Sequence, residues 1–196
     1  MLKVFGTRPA NAIWLGDQPY AVRNDCQAGR WKIGDDDFRD KSIEISIIKV
    51  ARFFGSLGKA KDTFWLQIWF VPAPSCSCLP PNTVCVTYIK TRSFSQFSAK
   101  ITELLGEKDP AEGIFIGSFA KHSNDLGNYY SVQWDWRSRT TPEEVEQLQQ
   151  HIADFLQSDP LLVDPVATRG MIGTDGLSAA EITQLIQSSV VQHLLP

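Results

Sequence analysis

The chain has 196 residues, 43% of them hydrophobic and 21% charged, and its formal net charge is −3. This composition indicates one packed domain with extensions, and it excludes a chain that is disordered throughout. The longest apolar runs are too short to span a bilayer, and the N-terminal MLKVFGTRPA lacks the apolar core of a signal peptide. We therefore expect a cytoplasmic protein that does not contact a membrane.

Residues 1–41 are rich in turn-forming residues and predict an N-terminal arm with short extended pieces. Trp14 and Trp31 could anchor this arm to the main body of the protein. The acidic run from Asp35 to Asp37 could in principle bind a hard cation, but a solvated turn is the simpler interpretation.

A run of strands begins at Ser42. The segment SIEISIIKVARFF predicts a long first strand, in which the Ile47-Ile48 doublet shifts the alternation and indicates a bulge. The Gly-rich hairpin loop from Gly55 to Asp62 leads into FWLQIWF, the second strand of the run. A proline-rich loop then separates that strand from TVCVTYIKT, the third.

The second strand of this run has two faces of different character. One is an ordinary apolar core face, made of Phe64, Leu66, Ile68 and Phe70. The other carries Trp65, Gln67 and Trp69, where a solvated strand would usually have Thr, Lys or Glu. Those indole rings could be buried under the arm or a later helix, stack on a ligand, or meet a protein partner.

The third strand also has two faces, and its pattern leaves open which of them lies beside the tryptophans. One face consists of Val84, Val86, Tyr88 and Lys90, and the other of Cys85, Thr87 and Ile89. Tyr88 and Lys90 would suit a binding surface, whereas Val84 and Val86 favour the core.

A helix follows the third strand. In SFSQFSAKITELLGE, Ser93 predicts the N-cap, Gln96 completes a capping box and Gly106 ends the helix. Two further strands, GIFIGSFAK and YYSVQWDWR, are joined by a polar loop over residues 121–128.

A second helix is predicted from TTPEEVEQLQQHIADFLQ, in which Thr141 is the cap, Pro142 the first residue and Glu144 the partner in a capping box. Its apolar stripe must be buried, so we expect it to dock on the domain. Residues 158–177 have the composition of a linker.

The last segment, residues 178–196, predicts an amphipathic helix capped by Ser178 and Glu181. Its apolar stripe consists of Ile182, Leu185, Ile186, Val190 and Leu194. Since this helix follows a linker, we expect the stripe to bind a protein partner or a second copy of the chain.

The element order over residues 42–138 is strand, strand, strand, helix, strand, strand. This order resembles the OB-fold, and the general layout is similar to single-stranded-DNA-binding proteins of replication and recombination. The resemblance implies a mainly β (α+β) fold: a five-stranded Greek-key barrel with a helix between strands 3 and 4, a docked C-terminal helix and a tethered terminal helix. The OB-fold domain with its following helix would cover residues 42–157.

The resemblance also implies a site for single-stranded nucleic acid, with DNA favoured over RNA but the choice left open by the sequence. The floor of that site would be the face of strands 2 and 3, with Trp65, Gln67, Trp69, Tyr88 and Lys90. Lysines on two clamping loops would contact phosphates, namely Lys59, Lys61 and Lys121. The same track could be extended by Arg52, Arg92, Arg137 and Arg139.

Enzyme chemistry finds little support. Neither GxxxxGK[ST] nor GxGxxG occurs, and His122, His151 and His193 are far apart with no partnered Ser or Cys motif. The cysteine pair in SCSC does not match zinc spacing, so we expect free thiols, no metal and no cofactor. We expect a non-catalytic protein.

The alternative is a protein-interaction or scaffold module on the same fold, without nucleic-acid binding. The surface beside Trp65 distinguishes the two hypotheses. A positive groove favours nucleic acid, and a flat apolar patch rimmed by acids favours a protein partner.

Overall fold

The computed structural model of the protein describes residues 20–34, 37–106, 108–125, 127–158 and 168–192, excluding the side chains of residues 151, 154–158 and 189–192. Over these ranges the chain is mainly β. The strands are β1 (Tyr20–Asp25), β2 (Arg30–Ile33), β3 (Asp37–Phe38), β4 (Ile43–Leu57), β5 (Ala60–Pro72), β6 (Cys85–Lys90), β7 (Ile114–Asn124), β8 (Gly127–Arg137) and β9 (Met171–Gly173). The helices are α1 (Thr91–Leu104), α2 (Pro142–Ser158) and α3 (Ala179–Gln192).

The strands form one open, mixed sheet in the order β3-β2-β1-β6-β5-β4-β7-β8, and β9 pairs with β4. β1 runs parallel to β6, and the other neighbours are antiparallel. The predicted order of strand, strand, strand, helix, strand, strand is confirmed as β4, β5, β6, α1, β7 and β8. Over the described residues the ladders do not join β6 to β8, so the predicted closed five-stranded barrel is not confirmed.

The long strand β4 serves two parts of the sheet. Its pairing with β5 shifts register between Ile47 and Lys49, which confirms the predicted bulge. Residues 43–45 pair with β7, and residues 53–55 pair with β9. The bulge bends the strand, so that its two halves meet different neighbours.

Two apolar clusters lie on opposite faces of β5. The larger contains Leu66, Ile68 and Phe70 of the predicted core face of β5, together with the Trp31, Phe97, Phe115 and Trp134 side chains. The fourth predicted residue, Phe64, instead lies against Phe54, with ring centres 5.0 Å apart. The smaller contains Trp69, Val71, Val84 and Val86 and is closed by Leu148 of α2. The predicted docking of α2 is therefore confirmed, and it places that helix over the Trp69 end of the tryptophan face of β5.

The N-terminal arm joins the sheet through β1, β2 and β3, whereas Trp14 lies outside the described residues. Trp31 is fully buried, and its Nε1 donates a hydrogen bond to the carbonyl of Gly117 at 2.9 Å. Gly117 has no room for a side chain, because a Cβ there would lie 2.9 Å from both the Trp31 and the Trp134 ring. The hairpin of β1 and β2 is thereby fixed to β7 as well as to β6.

The start of α1 differs from the prediction. The helix begins at Thr91, with Lys90 as the N-cap, so Ser93 lies inside the first turn. The Ser93 hydroxyl instead accepts a hydrogen bond from the backbone N–H of Val132 at 2.9 Å. Ser93 and Gln96 bind β8 rather than forming a capping box, because the helix packs against that strand.

The start of α3 agrees with the prediction, and the start of α2 agrees in part. Glu144 donates from its backbone N–H to the Thr141 hydroxyl at 3.3 Å, as predicted. Its carboxylate, however, accepts from the backbone N–H and the hydroxyl of Thr140, at 3.0 and 3.1 Å, and not from Thr141. The Glu181 carboxylate accepts from both the backbone and the hydroxyl of Ser178 at 2.7 Å, which completes a capping box. Among the helices that the structure describes, none is long and apolar enough to cross a membrane.

The linker predicted over residues 158–177 must be narrowed, because Met171–Gly173 form β9 on the edge of β4. The Asp175 carboxylate also attaches this segment to β4. It accepts hydrogen bonds from the backbone N–H of Arg52 at 2.9 Å and from the Arg52 Nε at 3.1 Å. The beginning of α3 is therefore attached to the sheet.

Candidate functional site

The predicted nucleic-acid floor on β5 is buried. Trp65 is 6% exposed, Gln67 1% and Trp69 0%. The alternation of β5 is as predicted, but the outer face of the strand is covered by the protein's own chain. The prediction that Trp65 and Trp69 present open rings to bases is therefore wrong, and burial under a later helix is the correct alternative for Trp69.

Trp65 and Gln67 of this floor each form a hydrogen bond within the fold. Trp65 donates from Nε1 to the carbonyl of Gly55 at 3.1 Å, and the Lys90 Nζ lies 5.2 Å from the centre of its ring. Gln67 donates from Nε2 to the hydroxyl of Tyr88 at 2.7 Å. Gln67 thus positions a tyrosine and does not itself reach the surface.

The register of β5 and β6 settles which face of β6 lies beside the tryptophans. Lys90 is directly opposite Trp65, and Tyr88 is directly opposite Gln67. Directly opposed residues in an antiparallel pair lie on the same face of the sheet. Tyr88 is half-buried and Lys90 is exposed, so these two residues carry the tryptophan face toward the surface.

A cavity of about 1010 Å³ opens at this point. Its wall comes from β1, from the end of β6, from the first turn of α1, from β8, and from the turn between β4 and β5. The volume is at the upper end of the range of about 300–1,000 Å³ that small-molecule sites occupy. Of the predicted site residues, Trp65, Tyr88 and Lys90 line it.

Three cationic side chains line the cavity: Arg23 of β1, Lys90 at the end of β6 and Arg92 of α1. The lining residues that the structure describes include no aspartate or glutamate. Arg92 donates from Nη1 to the hydroxyl of Tyr129 at 3.0 Å, a contact that leaves its charge uncompensated. The described lining of the cavity therefore carries three cations and no carboxylate, in a chain whose net charge is negative.

Asp25, next to the cavity wall, is engaged elsewhere. Its carboxylate accepts from the backbone N–H groups of Gln27 and Ala28 at 2.9 Å, and Lys32 lies 3.2 Å from it. Burial acts to raise the pKa of Asp25, but these hydrogen bonds and Lys32 outweigh it and hold that pKa below the ordinary value. Asp25 therefore stabilises the turn between β1 and β2.

Four aromatic rings line the same cavity: Trp65, Tyr88, Tyr129 and Tyr130. The last two come from β8, and Tyr130 is held by the β1–β2 turn. The backbone N–H of Tyr130 donates to the carbonyl of Cys26 at 2.8 Å, and a Cβ on Gly29 would lie 2.8 Å from the Tyr130 ring. The hairpin of β1 and β2 thus brings tyrosines of β8 opposite the end of β6.

The backbone is strained where α1 enters the cavity. Thr91 lines the cavity and has a φ of 48°, a conformation that β-branched residues rarely adopt. Strain of this kind costs about 1–3 kcal/mol, and it is concentrated at binding and catalytic sites. It also turns the chain so that Lys90 and Arg92, on either side of Thr91, both line the cavity.

Ser131, which also lines the cavity, forms a pair with a histidine. Its Oγ lies 2.8 Å from the Nε2 of His122, and it donates to the Oε1 of Gln96 at 2.9 Å. These two contacts tie β7, β8 and α1 together beside the cavity.

The cysteines lie in two places. Cys26 lines the cavity, where burial and then the nearby Asp25 raise the pKa of its thiol. Cys76 and Cys78 have their sulfurs 3.7 Å apart, and burial raises the pKa of Cys78 to about 11 and that of Cys85 to about 12. All four are free thiols, and the described part of the chain contains no group of three or more metal-ligating side chains.

The predicted clamps reach the cavity to different degrees. Lys59 is exposed on the turn between β4 and β5, and Lys61 is exposed at the start of β5. Leu57 at the end of β4 and Gly58 of the turn line the cavity. Lys121 is exposed on β7 and is not a lining residue. The second clamp is also shorter than predicted, because β7 and β8 extend to Asn124 and Gly127.

The predicted arginine track is reduced to Arg92. Arg52 pairs with Asp175, Arg137 with Glu44 at 2.7 Å, and Arg139 donates to Ser46 at 2.6 Å. The tyrosines of β8 were missed by the sequence reasoning, although two adjacent aromatics directly after a polar loop are a signal that could have indicated them.

The partner-binding stripe is described in part. Ile182, Leu185 and Ile186 of α3 are half-buried. The side chain of Val190 and the whole of Leu194 are not among the parts of the chain that the structure describes.

A scan of the chain against protein-family models found no match, and comparisons with curated proteins and with solved structures found none either.

Proposed function

We propose that this protein binds single-stranded nucleic acid without catalysis, and that the cavity at the end of β6 is the binding site. The observation that carries the proposal is the three lining cations, Arg23, Lys90 and Arg92, with no carboxylate among the described lining residues. A positive groove beside Trp65 is the feature that distinguishes a nucleic-acid site from a protein-interaction patch.

The chemistry of the lining suits a nucleotide. Arginine and lysine neutralise phosphates and release counterions, and this effect dominates non-specific nucleic-acid binding. Tyr88, Tyr129 and Tyr130 offer flat rings, and a stacked base contributes about 1–3 kcal/mol whatever its identity. Lys59 and Lys61 would meet the phosphates of a strand at the mouth of the cavity.

The fold supports the same proposal. We propose that β4 to β8 form an OB-type Greek key whose gap between β6 and β8 is filled by the β1–β2 hairpin. That hairpin lies parallel on β6 through β1 and bonds to β8 through Cys26 and Tyr130. OB-folds bind oligonucleotides on the face of their second and third strands, between the loop that joins strands 1 and 2 and the loop that joins strands 4 and 5. In the proposed assignment the second and third strands are β5 and β6.

The test is a fluorescence-anisotropy titration of a labelled single-stranded oligonucleotide at about 50 mM and about 200 mM salt. We expect binding that weakens with salt. Lys90→Ala and Arg92→Ala should each weaken it further and reduce the slope of log K against log salt by about 0.7. Arg169→Ala, which removes an exposed arginine outside the cavity, is the matched control. Absence of binding at the lower salt concentration would eliminate this function.

The preference for DNA is tested by competition with an RNA strand of the same sequence. We propose that DNA competes better, and equal competition would remove that part of the proposal. The four free thiols fit a reducing compartment such as the cytoplasm, which we propose as the location.

The second candidate is a protein-interaction role for α3, either as an addition to nucleic-acid binding or in its place. This candidate is supported by two features of α3. Its start is fixed by the Ser178–Glu181 cap and follows β9, which pairs with β4, and the helix carries the apolar residues Ile182 and Ile186. If α3 recruits a second copy, Ile186→Glu should lower the molar mass measured by light scattering. An unchanged mass that is already monomeric in the wild type would contradict self-association.

A further inference from the structure

The hairpin strands β1, β2 and β3 carry a second basic and aromatic surface next to the cavity. Arg23 is directly opposite Lys32, and Lys32 is directly opposite Phe38. Directly opposed residues share a face, as do residues two apart on one strand. Arg30 therefore lies on this face as well, and we call the four residues Arg23, Arg30, Lys32 and Phe38 the hairpin strip.

Phe38 is an aromatic side chain that the fold leaves 42% exposed. The other exposed large hydrophobic residues in the described part of the chain are aliphatic: Val50, Leu105 and Ile172. Two cations lie near the Phe38 ring, with the Arg30 Cζ at 5.8 Å and the Lys32 Nζ at 5.6 Å from its centre. An exposed ring between cations is the arrangement that binds a base and its neighbouring phosphates.

The described residues of the β1 and β2 strands on this face include more cations than carboxylates. The cations are Arg23, Arg30 and Lys32, and the carboxylate among these described residues is Asp25, which bonds to the turn and to Lys32. Asp37 is directly opposite Ile33, so it belongs to the other face of the hairpin, where it pairs with Arg39. The face is thus complementary to an anionic ligand.

The hairpin strip is continuous with the cavity, because Arg23 belongs to both. Adjacent strands lie about 4.8 Å apart, so Phe38 is about 10 Å from Arg23 across two ladders. This inference rests on the proposed function, and it adds the direction in which the bound strand continues.

We propose that single-stranded nucleic acid leaving the cavity crosses β1, β2 and β3, with its phosphates at Arg23, Lys32 and Arg30 and a base stacked on Phe38. The cavity then holds one end of the contacted segment, and the hairpin strip holds the next few nucleotides. Binding should strengthen once the strand is long enough to reach Phe38.

The experiment compares oligothymidylates of about 4 and about 16 nucleotides, the range of site sizes for one OB-fold. We expect the longer strand to bind the wild-type protein more tightly. Phe38→Ala should weaken binding of the longer strand by about 5- to 100-fold and leave the shorter strand within about 2-fold. Leu105→Ala, an exposed apolar truncation away from the strip, is the control and should change neither affinity.

A second ligand, an oligonucleotide of the longer length with abasic sites, separates the contribution of base stacking from that of charge, because it keeps the phosphates and lacks bases at those sites. Phe38→Ala should not change its affinity, whereas Arg30→Ala should weaken binding of both the normal and the abasic long strand. Equal affinity of short and long strands for the wild type, or an equal loss at both lengths in Phe38→Ala, overturns the hairpin strip while the cavity proposal stands. Failure of both lengths to bind overturns the proposed function itself.

Discussion

The side-chain amide of Gln67 donates a hydrogen bond to the hydroxyl of Tyr88 at 2.7 Å, across the β5–β6 ladder. Gln67 is 1% exposed, whereas Tyr88 is half-buried and lines the cavity. The buried amide therefore holds the phenol in place at the wall of the cavity. A polar residue in the middle of an aromatic strand has a positioning role here.

Tyr88→Phe separates the two roles. The substitution keeps the ring but leaves the Gln67 amide nitrogen buried without that acceptor, so we expect a loss of stability of about 1–3 kcal/mol. Oligonucleotide binding should stay close to wild type, because stacking needs the ring and not the hydroxyl. Thermal unfolding and anisotropy titrations check the two parts. Tyr88→Ala is the contrasting variant, and a Phe variant that binds as poorly as the Ala variant would contradict stacking on Tyr88.

Gly29 tests the support of Tyr130, and the chain offers a matched control. Gly29 and Gly34 have φ values of 63° and 62°, so alanine is strained by a similar amount at both. A Cβ at Gly29 would meet the Tyr130 ring at 2.8 Å, whereas at Gly34 there is nothing within 4 Å. We expect Gly29→Ala to be less stable than Gly34→Ala by about 1–3 kcal/mol, the usual cost of overpacking.

Gly29→Ala should also displace Tyr130 and weaken oligonucleotide binding, while Gly34→Ala binds like wild type. Denaturant melts and anisotropy measured on the same preparations compare the pair. If the two variants lose the same stability, Tyr130 does not pack on the β1–β2 turn.

The contrast between Trp69 and the tyrosines marks the limit of what the sequence could predict. The two-residue period of β5 correctly identifies which side chains share a face, because successive Cβ atoms alternate. It carries no information on what covers that face. The apolar stripe of α2 needed a surface to dock on, and combining it with the tryptophan face would have predicted the burial of Trp69.

The cavity could not be predicted in the same way. Arg23, Arg92 and Tyr129 come from three separate segments, and they meet because β1 lies parallel on β6 and its turn reaches β8. Parallel pairing between distant segments leaves no local period in the sequence. The cap of α1 was missed for a related reason, since Ser93 bonds to β8 and the contact exists only after tertiary packing.

Trp69 provides a prediction that separates structure from binding. It is fully buried beneath α2, so Trp69→Ala should cost about 3–5 kcal/mol of stability. The milder Trp69→Phe should remain folded and bind oligonucleotide like wild type, as measured by circular dichroism and anisotropy. Tyr129→Ala should have the opposite effect: its stability should be close to that of the wild type, and its affinity for oligonucleotide should be lower. If the Trp69→Phe protein is folded but does not bind oligonucleotide, the indole of Trp69 contacts the ligand after all.

The acid stability of the protein should depend on Glu44. The hydroxyl of Ser75 and the guanidinium of Arg137 both donate to its carboxylate and hold the pKa of Glu44 below its ordinary value of 4.5. As the pH falls, the unfolded chain takes up this proton first. The stabilisation is therefore complete above about pH 4.5 and is lost progressively as the pH falls through the lower pKa of the folded state.

Glu44→Gln removes that titration, so its free energy of unfolding should fall less steeply than that of the wild type between pH 5 and pH 3, the range that brackets the ordinary pKa. Near pH 7 the variant should be the less stable of the two, because Arg137 loses its ionised partner. Urea melts at a series of pH values measure both effects. Glu146→Gln removes an exposed carboxylate of α2 and controls for the change in net charge. A Glu44→Gln protein with the full acid sensitivity of the wild type would show that other carboxylates determine it.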